Sequence, residues 1–370
     1  MKHSIKRFVQ VLLLFSLLIK LSPVSAQDFR THTNWLFVYY MPYDNNLSEY
    51  GDTIISMIKS GVLNENVAVT IQADFGDTLG MRRYVIMHDT ITGYTIPNEY
   101  SYHSDSYNDY LQWAINLFTY DNIALCFLDH GGKLNEMCLD EYPESGFLIV
   151  DSVRDIIRNS FSGRKIDLLF LQICVKGSIE PIFEFKDVAD YTLCSQQKVG
   201  APNGYYRALF EYISNNPSTG SLEIASCIAD NEPANMFNSY TLIDNSKLDS
   251  LKFYFSNFIG EFNPKKTYTL KSTPAGFYYA MEKYWDLISF IEAIQIKKHS
   301  NLYKSRKQLT DFIENEVIIF HKISPLHSNM TAYCGLSFCG VDESNYNDME
   351  FFKLLHPIRS LKQRNKPATF

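Results

Sequence analysis

Charge is scarce in this chain, and positive charge scarcer still. Asp, Glu, Lys and Arg make up 20% of its 370 residues, and the formal net charge is -7. That balance gives no electrostatic reason to bind nucleic acid or an anionic membrane. No C-x-x-C and no H-x-x-x-H spacing occurs, so the usual ligand pattern of a structural zinc site is missing. There is no internal repeat and no low-complexity tract. Past the N-terminal leader, no stretch has the roughly 20 apolar residues that a membrane span needs.

What is present is an ordinary globular composition. Apolar residues reach 46%, with 25 Tyr and 26 Phe, and the length allows a large core. The aromatics read first as core and half-buried sheet residues. The seven cysteines are an odd number, so an exported form keeps at least one thiol unpaired. Cys126 and Cys194 lie inside apolar strand patterns and read as inert core thiols. Cys334 and Cys339 could bridge only across a bend.

Residues 1–26 read as a secretory signal peptide. Lys2, Lys6 and Arg7 form a positive region, 8–19 is apolar, and Val24-Ser25-Ala26 offers small residues before a cleavage point near Ala26. Lys20 cuts the apolar run too short for an anchor. The expectation is a secreted or periplasmic protein with no membrane association after leader removal.

The organising stretch is 165–180, KIDLLFLQICVKGSIE. Its apolar run 166–173 suits a buried strand of a parallel sheet. The run ends on Cys174, and Lys176-Gly177-Ser178 precede a helical pattern. A second apolar strand, 123–129, ends in the same way on His130-Gly131-Gly132. Open α/β sheets place ligand crevices at the carboxyl ends of such strands. Taken singly, Cys174 reads as a buried thiol and His130 as a turn residue. Taken jointly, they supply a nucleophile and a general base. Gly131 has no Cβ, so its N–H can approach a substrate carbonyl and join the Cys174 N–H as an oxyanion hole. The helix start near Ser178 would lower the thiol pKa.

Other strands are expected at 35–41, 67–73, 82–88 and 191–195, with helices at 47–60, 105–118, 147–161, 178–187 and 205–214. Residues 90–104 read as irregular and 134–145 as an exposed acidic loop. The alternation indicates an α/β layer architecture with a mainly parallel central sheet flanked by helices. A breaker cluster at 215–220 ends a core of 27–220. Residues 221–370 then read as a helical extension packed on it, with helices at 248–262, 277–296 and 309–322 and one added strand at 332–339.

The D-H-G-G at 129–132, and the strand ending in Cys174 with K-G-S-I-E close behind, resemble the clostripain family of caspase-like cysteine peptidases. WLFVYYMPYDNNL at 35–47 resembles the family's opening strand and turn. FEFKDVADYTLCS at 183–195 resembles the helix and strand after its nucleophile. Weaker likenesses extend the resemblance over most of 35–355. It implies a caspase-like fold, a His130/Cys174 dyad, an oxyanion hole at Gly131 and Cys174, and peptide or protein substrates. It implies no cofactor for the chemistry, although some members need calcium; the four carboxylates Glu136, Asp140, Glu141 and Glu144 lie in one loop. Members often mature by cleavage between His and Cys, yet 134–145 holds no basic residue.

Departures bear on specificity. Members that cut after Arg or Lys carry Asp where Gln172 stands. Asn203 occupies a position where acids are common, as do Gln196 and Gln197, and Tyr205 replaces a Trp. With Gln172, Asn203 and Tyr205 as substrate-binding residues, a basic P1 side chain lacks a counter-ion. Lys133, where the family has glycine, would place a cation beside the dyad. Asp129 would orient His130 only if its side chain turned the same way. The expected function is a secreted cysteine endopeptidase whose P1 preference departs from Arg/Lys. The alternative is a catalytically inactive exported peptide-binding protein on the same fold; a transpeptidase or amidase is a third reading.

Overall fold

Long apolar runs with side chains alternating between two buried faces build the centre of the molecule. The computed structural model describes residues 30–76, 80–88, 90–97, 100–263, 265–341, 344–359 and 361. The signal peptide expected at 1–26 lies outside them. Strand β1 (Thr31–Pro42) is followed by helix Gly51–Gly61, β2 (Val67–Asp74), β3 (Arg82–Met87) and β4 (Thr90–Thr95). Helix Ser104–Leu117 leads into β5 (Phe118–Asp129), a hairpin of β6 (Glu136–Asp140) and β7 (Gly146–Ile149), helix Val150–Ser160 and β8 (Ile166–Ile173). After the short helix Ile179–Glu184 come β9 (Ala189–Cys194), helices Tyr206–Asn215 and Ser221–Asn231, and β10 (Ser239–Asp244). Helix Leu248–Gly260, hairpin β11 (Gly276–Tyr279) and β12 (Glu282–Asp286), helices Leu287–Ala293 and Asn301–Phe312, β13 (Ile318–Ile323), β14 (Ser337–Cys339) and helix Glu350–Arg359 complete the described fold.

Nine strands form one sheet in the order β13-β10-β9-β8-β5-β1-β2-β3-β4. The pairs β1/β2, β5/β8 and β8/β9 are parallel, whereas β2/β3, β3/β4, β9/β10 and β10/β13 are antiparallel. The parallel centre must be covered on both faces, which is why its strands are apolar at nearly every position. In β1, Leu36, Val38 and Tyr40 face one core, and Trp35, Phe37, Tyr39 and Met41 face the other. Ile54, Ile58, Leu209, Phe210 and Ile224 cover the second face; Tyr110, Leu111, Val153, Ile157 and Phe255 cover the first.

Several expectations change. Residues 90–104 contain β4, whose six residues are all exposed; its TITGYT composition carries no alternation to announce it. The loop 134–145 is instead half of the β6/β7 hairpin, with Met137, Cys138 and Asp140 buried. Cys138 sits at φ +60 where the register shifts, a one-residue bulge that hides the alternation. Residues 277–296 are not one helix but a hairpin and a seven-residue helix. The helix expected at 309–322 stops by 317, where β13 follows. Among the described residues, those beyond 221 supply not one strand but five, two of which, β10 and β13, extend the main sheet. The described residues from His32 onward cluster as one compact unit. All seven cysteines are free thiols.

Candidate active site

The register of the parallel pair sets the geometry. Asp129 stands opposite Ile173, so His130 and Cys174 leave the sheet from neighbouring strand ends. Gly131 lies so close to the backbone of Cys174 that a Cβ there would fall 2.1 Å from the Cys174 carbonyl oxygen. Only glycine fits that approach. The next residue after the thiol, Val175, has φ +64, a strained value for a β-branched side chain. Its N–H donates to the Gln197 carbonyl at 2.8 Å, and the Gly177 N–H donates to Ser195 at 2.7 Å. These bonds hold the sharp turn that carries the chain away from Cys174.

His130 Nε2 bonds the Asn46 side-chain oxygen at 2.7 Å. Asn46 comes from the polar turn after β1. That turn is fixed by Asn45, whose amide donates to Asp129 Oδ1 and to the Leu139 carbonyl, both at 2.9 Å, while its oxygen accepts the Leu47 N–H. Asp129 therefore anchors the turn rather than contacting the imidazole ring. Burial, partly offset by Glu141, lowers the His130 pKa.

Cys174 is buried, at 8% exposure. Its sulfur accepts the Val199 N–H at 3.4 Å and lies 3.5 Å from the Val199 carbonyl. Among the described residues, the hydrogen bonds of the two side chains run to Asn46 and Val199, and none joins His130 to Cys174. Burial raises the thiol pKa; the Val199 amide, Tyr279, Lys198 and Lys176 lower it by less. The expectation of a thiol depressed by a helix end and by Lys133 is corrected by this balance. The helix after Ser178 has only six residues, and the nearby lysines are 198 and 176. Lys176 is buried, with its pKa lowered to about 8 by burial. Its ammonium donates to the Lys133 carbonyl at 2.7 Å and so pins the loop after His130 to the loop after Cys174.

Gln172, Asn203 and Tyr205 meet in one buried network. Tyr205 donates to Gln172 Oε1 at 2.5 Å, while Gln172 Nε2 donates to Asn203 and, at 2.9 Å, to the Tyr206 hydroxyl. Asn203 passes the chain on to Glu232 at 2.8 Å, which also accepts from the Gly204 N–H and the Tyr240 hydroxyl. Burial pushes the Glu232 carboxyl up to about 7. Sequence reasoning missed Glu232, Asn46 and Tyr240, because only the fold brings these distant segments to one sheet edge. It missed Tyr279 for the same reason: the Gly131 N–H donates to the Tyr279 hydroxyl at 3.4 Å.

Of the four loop carboxylates, Glu136 accepts the Lys133 N–H at 2.8 Å, and Asp140 accepts from Ser101, Tyr102 and Tyr142. Asp140 also lies within 4.8 Å of Asp44 and Asp74, measured between carboxylate oxygens. Such an all-oxygen set suits a hard cation. Among the described residues, no helix is long and apolar enough to cross a membrane.

The comparisons agree with this architecture. The profile of the Clostripain family matches residues 39–345. A secreted C11 cysteine protease from Bacteroides thetaiotaomicron, bound to an irreversible peptide inhibitor, superposes with a TM-score of 0.67 at 15% identity, covering 88% of this chain and 99% of that one. A second structure of a secreted C11 cysteine protease from that organism, called iotapain, gives 0.68 at 14% identity with the same coverages. An inactive zymogen C11 protease from Parabacteroides distasonis gives 0.62 at 17% identity, covering 88% and 98%. No curated protein matches the chain. These neighbours share the mixed, centrally parallel sheet flanked by helices, and the family match spans most of the chain; the protein belongs to the clostripain family of cysteine proteases.

Proposed function

We propose that this chain is a secreted cysteine endopeptidase working through His130 and Cys174. The observation that carries the reading is the parallel register of β5 and β8, which delivers an imidazole and a thiol from adjacent strand ends, with Gly131 against the thiol's own backbone. The Asn46 oxygen accepts from Nε2–H and so leaves Nδ1 as the basic nitrogen. In the reaction Nδ1 takes the thiol proton as sulfur attacks the scissile carbonyl. The N–H groups of Gly131 and Cys174 stabilise the oxyanion. The imidazolium then protonates the leaving amine, and water hydrolyses the thioester with His130 again acting as base.

The buried amide and phenol network around Gln172 supports a P1 preference other than Arg/Lys. Gln172 is neutral and its polar atoms are already paired, so a P1 cation would gain no counter-charge there. Export rests on the leader at 1–26, with cleavage near Ala26. The chemistry needs no cofactor. A calcium ion would find its donor set in Asp44, Asp74 and Asp140.

The test is hydrolysis of a peptide library carrying every P1 residue. Cys174→Ala and His130→Ala are expected to abolish turnover; retained turnover in both would sink the proposal. The second reading, an exported peptide-binding protein, is favoured by the separate partners of the two side chains. Peptide binding without turnover in the folded wild type would establish it.

A further inference from the structure

The hairpin β11–β12 reaches across the candidate site from a part of the chain far from both strand ends. Tyr279, the last residue of β11, pairs with Glu282 across a two-residue turn. Both turn residues, Ala280 and Met281, have positive φ (+47 and +64), a conformation that side-chain-bearing residues adopt at a cost. Something outside the turn must hold it, and the contacts on either side of the turn do so. Glu282 accepts the Leu134 N–H at 2.9 Å and the Tyr284 hydroxyl at 2.6 Å, and it also bonds Tyr346. Tyr279 accepts the Gly131 N–H at 3.4 Å. The turn is therefore clamped to the loop after His130 at two points, Gly131 and Leu134. Its outer surface is apolar and bare: Met281 is 91% exposed and Tyr278 72%.

The Gly131 N–H is the donor that the peptidase reading assigns to the oxyanion. A phenol oxygen on that donor stands where a substrate carbonyl oxygen must dock. The same side chain packs against the apolar cluster that holds the thiol, and Tyr279 is among the groups that lower the Cys174 pKa. Cys174 is packed in one apolar cluster with Tyr284, Tyr346 and Phe352, and Tyr279 lies against it.

We propose that the β11–β12 hairpin is an autoinhibitory strap, with the Tyr279 hydroxyl occupying the oxyanion donor at Gly131 and its ring covering Cys174. This rests on the peptidase reading for its consequence, but the masking of the thiol does not. The enzyme as folded is then latent, and a peptide must displace Tyr279 before its carbonyl can meet Gly131. The strap swings from its strained turn while Glu282 stays rooted.

The test compares the full chain with Tyr279→Ala and Tyr279→Phe. Two readouts are taken: the rate of iodoacetamide alkylation at Cys174, located by peptide mass mapping, and turnover of the peptide library. Tyr279→Phe keeps the ring and the packing, so it controls for misfolding. Alkylation of Cys174 in Tyr279→Ala is expected to rise about tenfold or more, with turnover rising in step at low peptide concentration. Tyr279→Phe loses only the hydrogen bond and is expected to turn over about three- to tenfold faster. Alkylation of the alanine variant at the wild-type rate would overturn the strap. So would a phenylalanine variant with lower turnover and unchanged alkylation, since the hydroxyl would then be assisting catalysis. Faster alkylation with no hydrolysis by any form would uphold the strap and remove the peptidase reading instead.

Discussion

Asn46 and His130 lie 84 positions apart in the chain and meet at 2.7 Å, side-chain oxygen to Nε2. The contact selects the imidazole tautomer, and with it the nitrogen that can act as base. Asn46→Ala is expected to lower kcat by about tenfold to a hundredfold while leaving KM within about twofold. The acid limb of the pH profile should move as well, because the bond that holds the Nε2 proton is gone. Unchanged kcat and an unchanged profile would show that the turn after β1 plays no part in positioning His130.

Burial pushes Cys174 and His130 in opposite directions, the thiol up and the imidazole down. At neutral pH the resting pair is therefore thiol and neutral imidazole, not thiolate and imidazolium. Alkylation of Cys174 in the wild-type chain should climb about tenfold per pH unit from about pH 7 towards pH 9. A rate that levels off near pH 7 would reveal a preformed thiolate and contradict the burial balance.

The network around Gln172 makes a prediction about specificity. Wild-type turnover is expected to favour neutral P1 residues over Arg and Lys. Gln172→Glu returns a carboxylate beside Asn203, and basic P1 substrates should gain about tenfold relative to neutral ones. Profiling both forms on one peptide library checks this. A wild type that already prefers Arg or Lys would point to Glu232, behind Asn203, as the operative charge.

Arg359 and Glu180 form a buried ion pair at 2.8 Å, with side-chain exposures of 2% and 0%. It ties helix Glu350–Arg359 to the segment that follows Cys174, and Glu180 also accepts the Cys339 N–H. Removing either partner takes a buried, charge-assisted hydrogen bond from the other. Glu180→Ala or Arg359→Ala should each cost about 3–5 kcal/mol in chemical denaturation, and the double variant less than their sum. Additive losses would mean that the pair does not act as a unit.

The apolar runs at 35–41, 123–129 and 166–173 determined the parallel centre of the sheet by themselves, because a strand buried on both faces must be apolar at nearly every position. The glycine after His130 and the thiol at the end of the next strand likewise made the candidate dyad legible, since both sit where a sheet opens to a ligand. The rest was hidden for physical reasons. The bulge at Cys138 broke the period of β6, so a buried hairpin looked like an acidic loop. The stretch 277–296, expected as one helix, holds a hairpin and a short helix. No local pattern reports that Asn46 meets His130, that Glu232 closes the network behind Gln172, or that Tyr279 reaches Gly131. Those contacts join segments from opposite parts of the chain, and only the closing of the sheet and its covering layers brings them together. The thiol's own state was decided there too: the helix start near Ser178 and the cation at Lys133 argue for a lowered pKa in sequence, whereas the depth at which the fold buries Cys174 raises it.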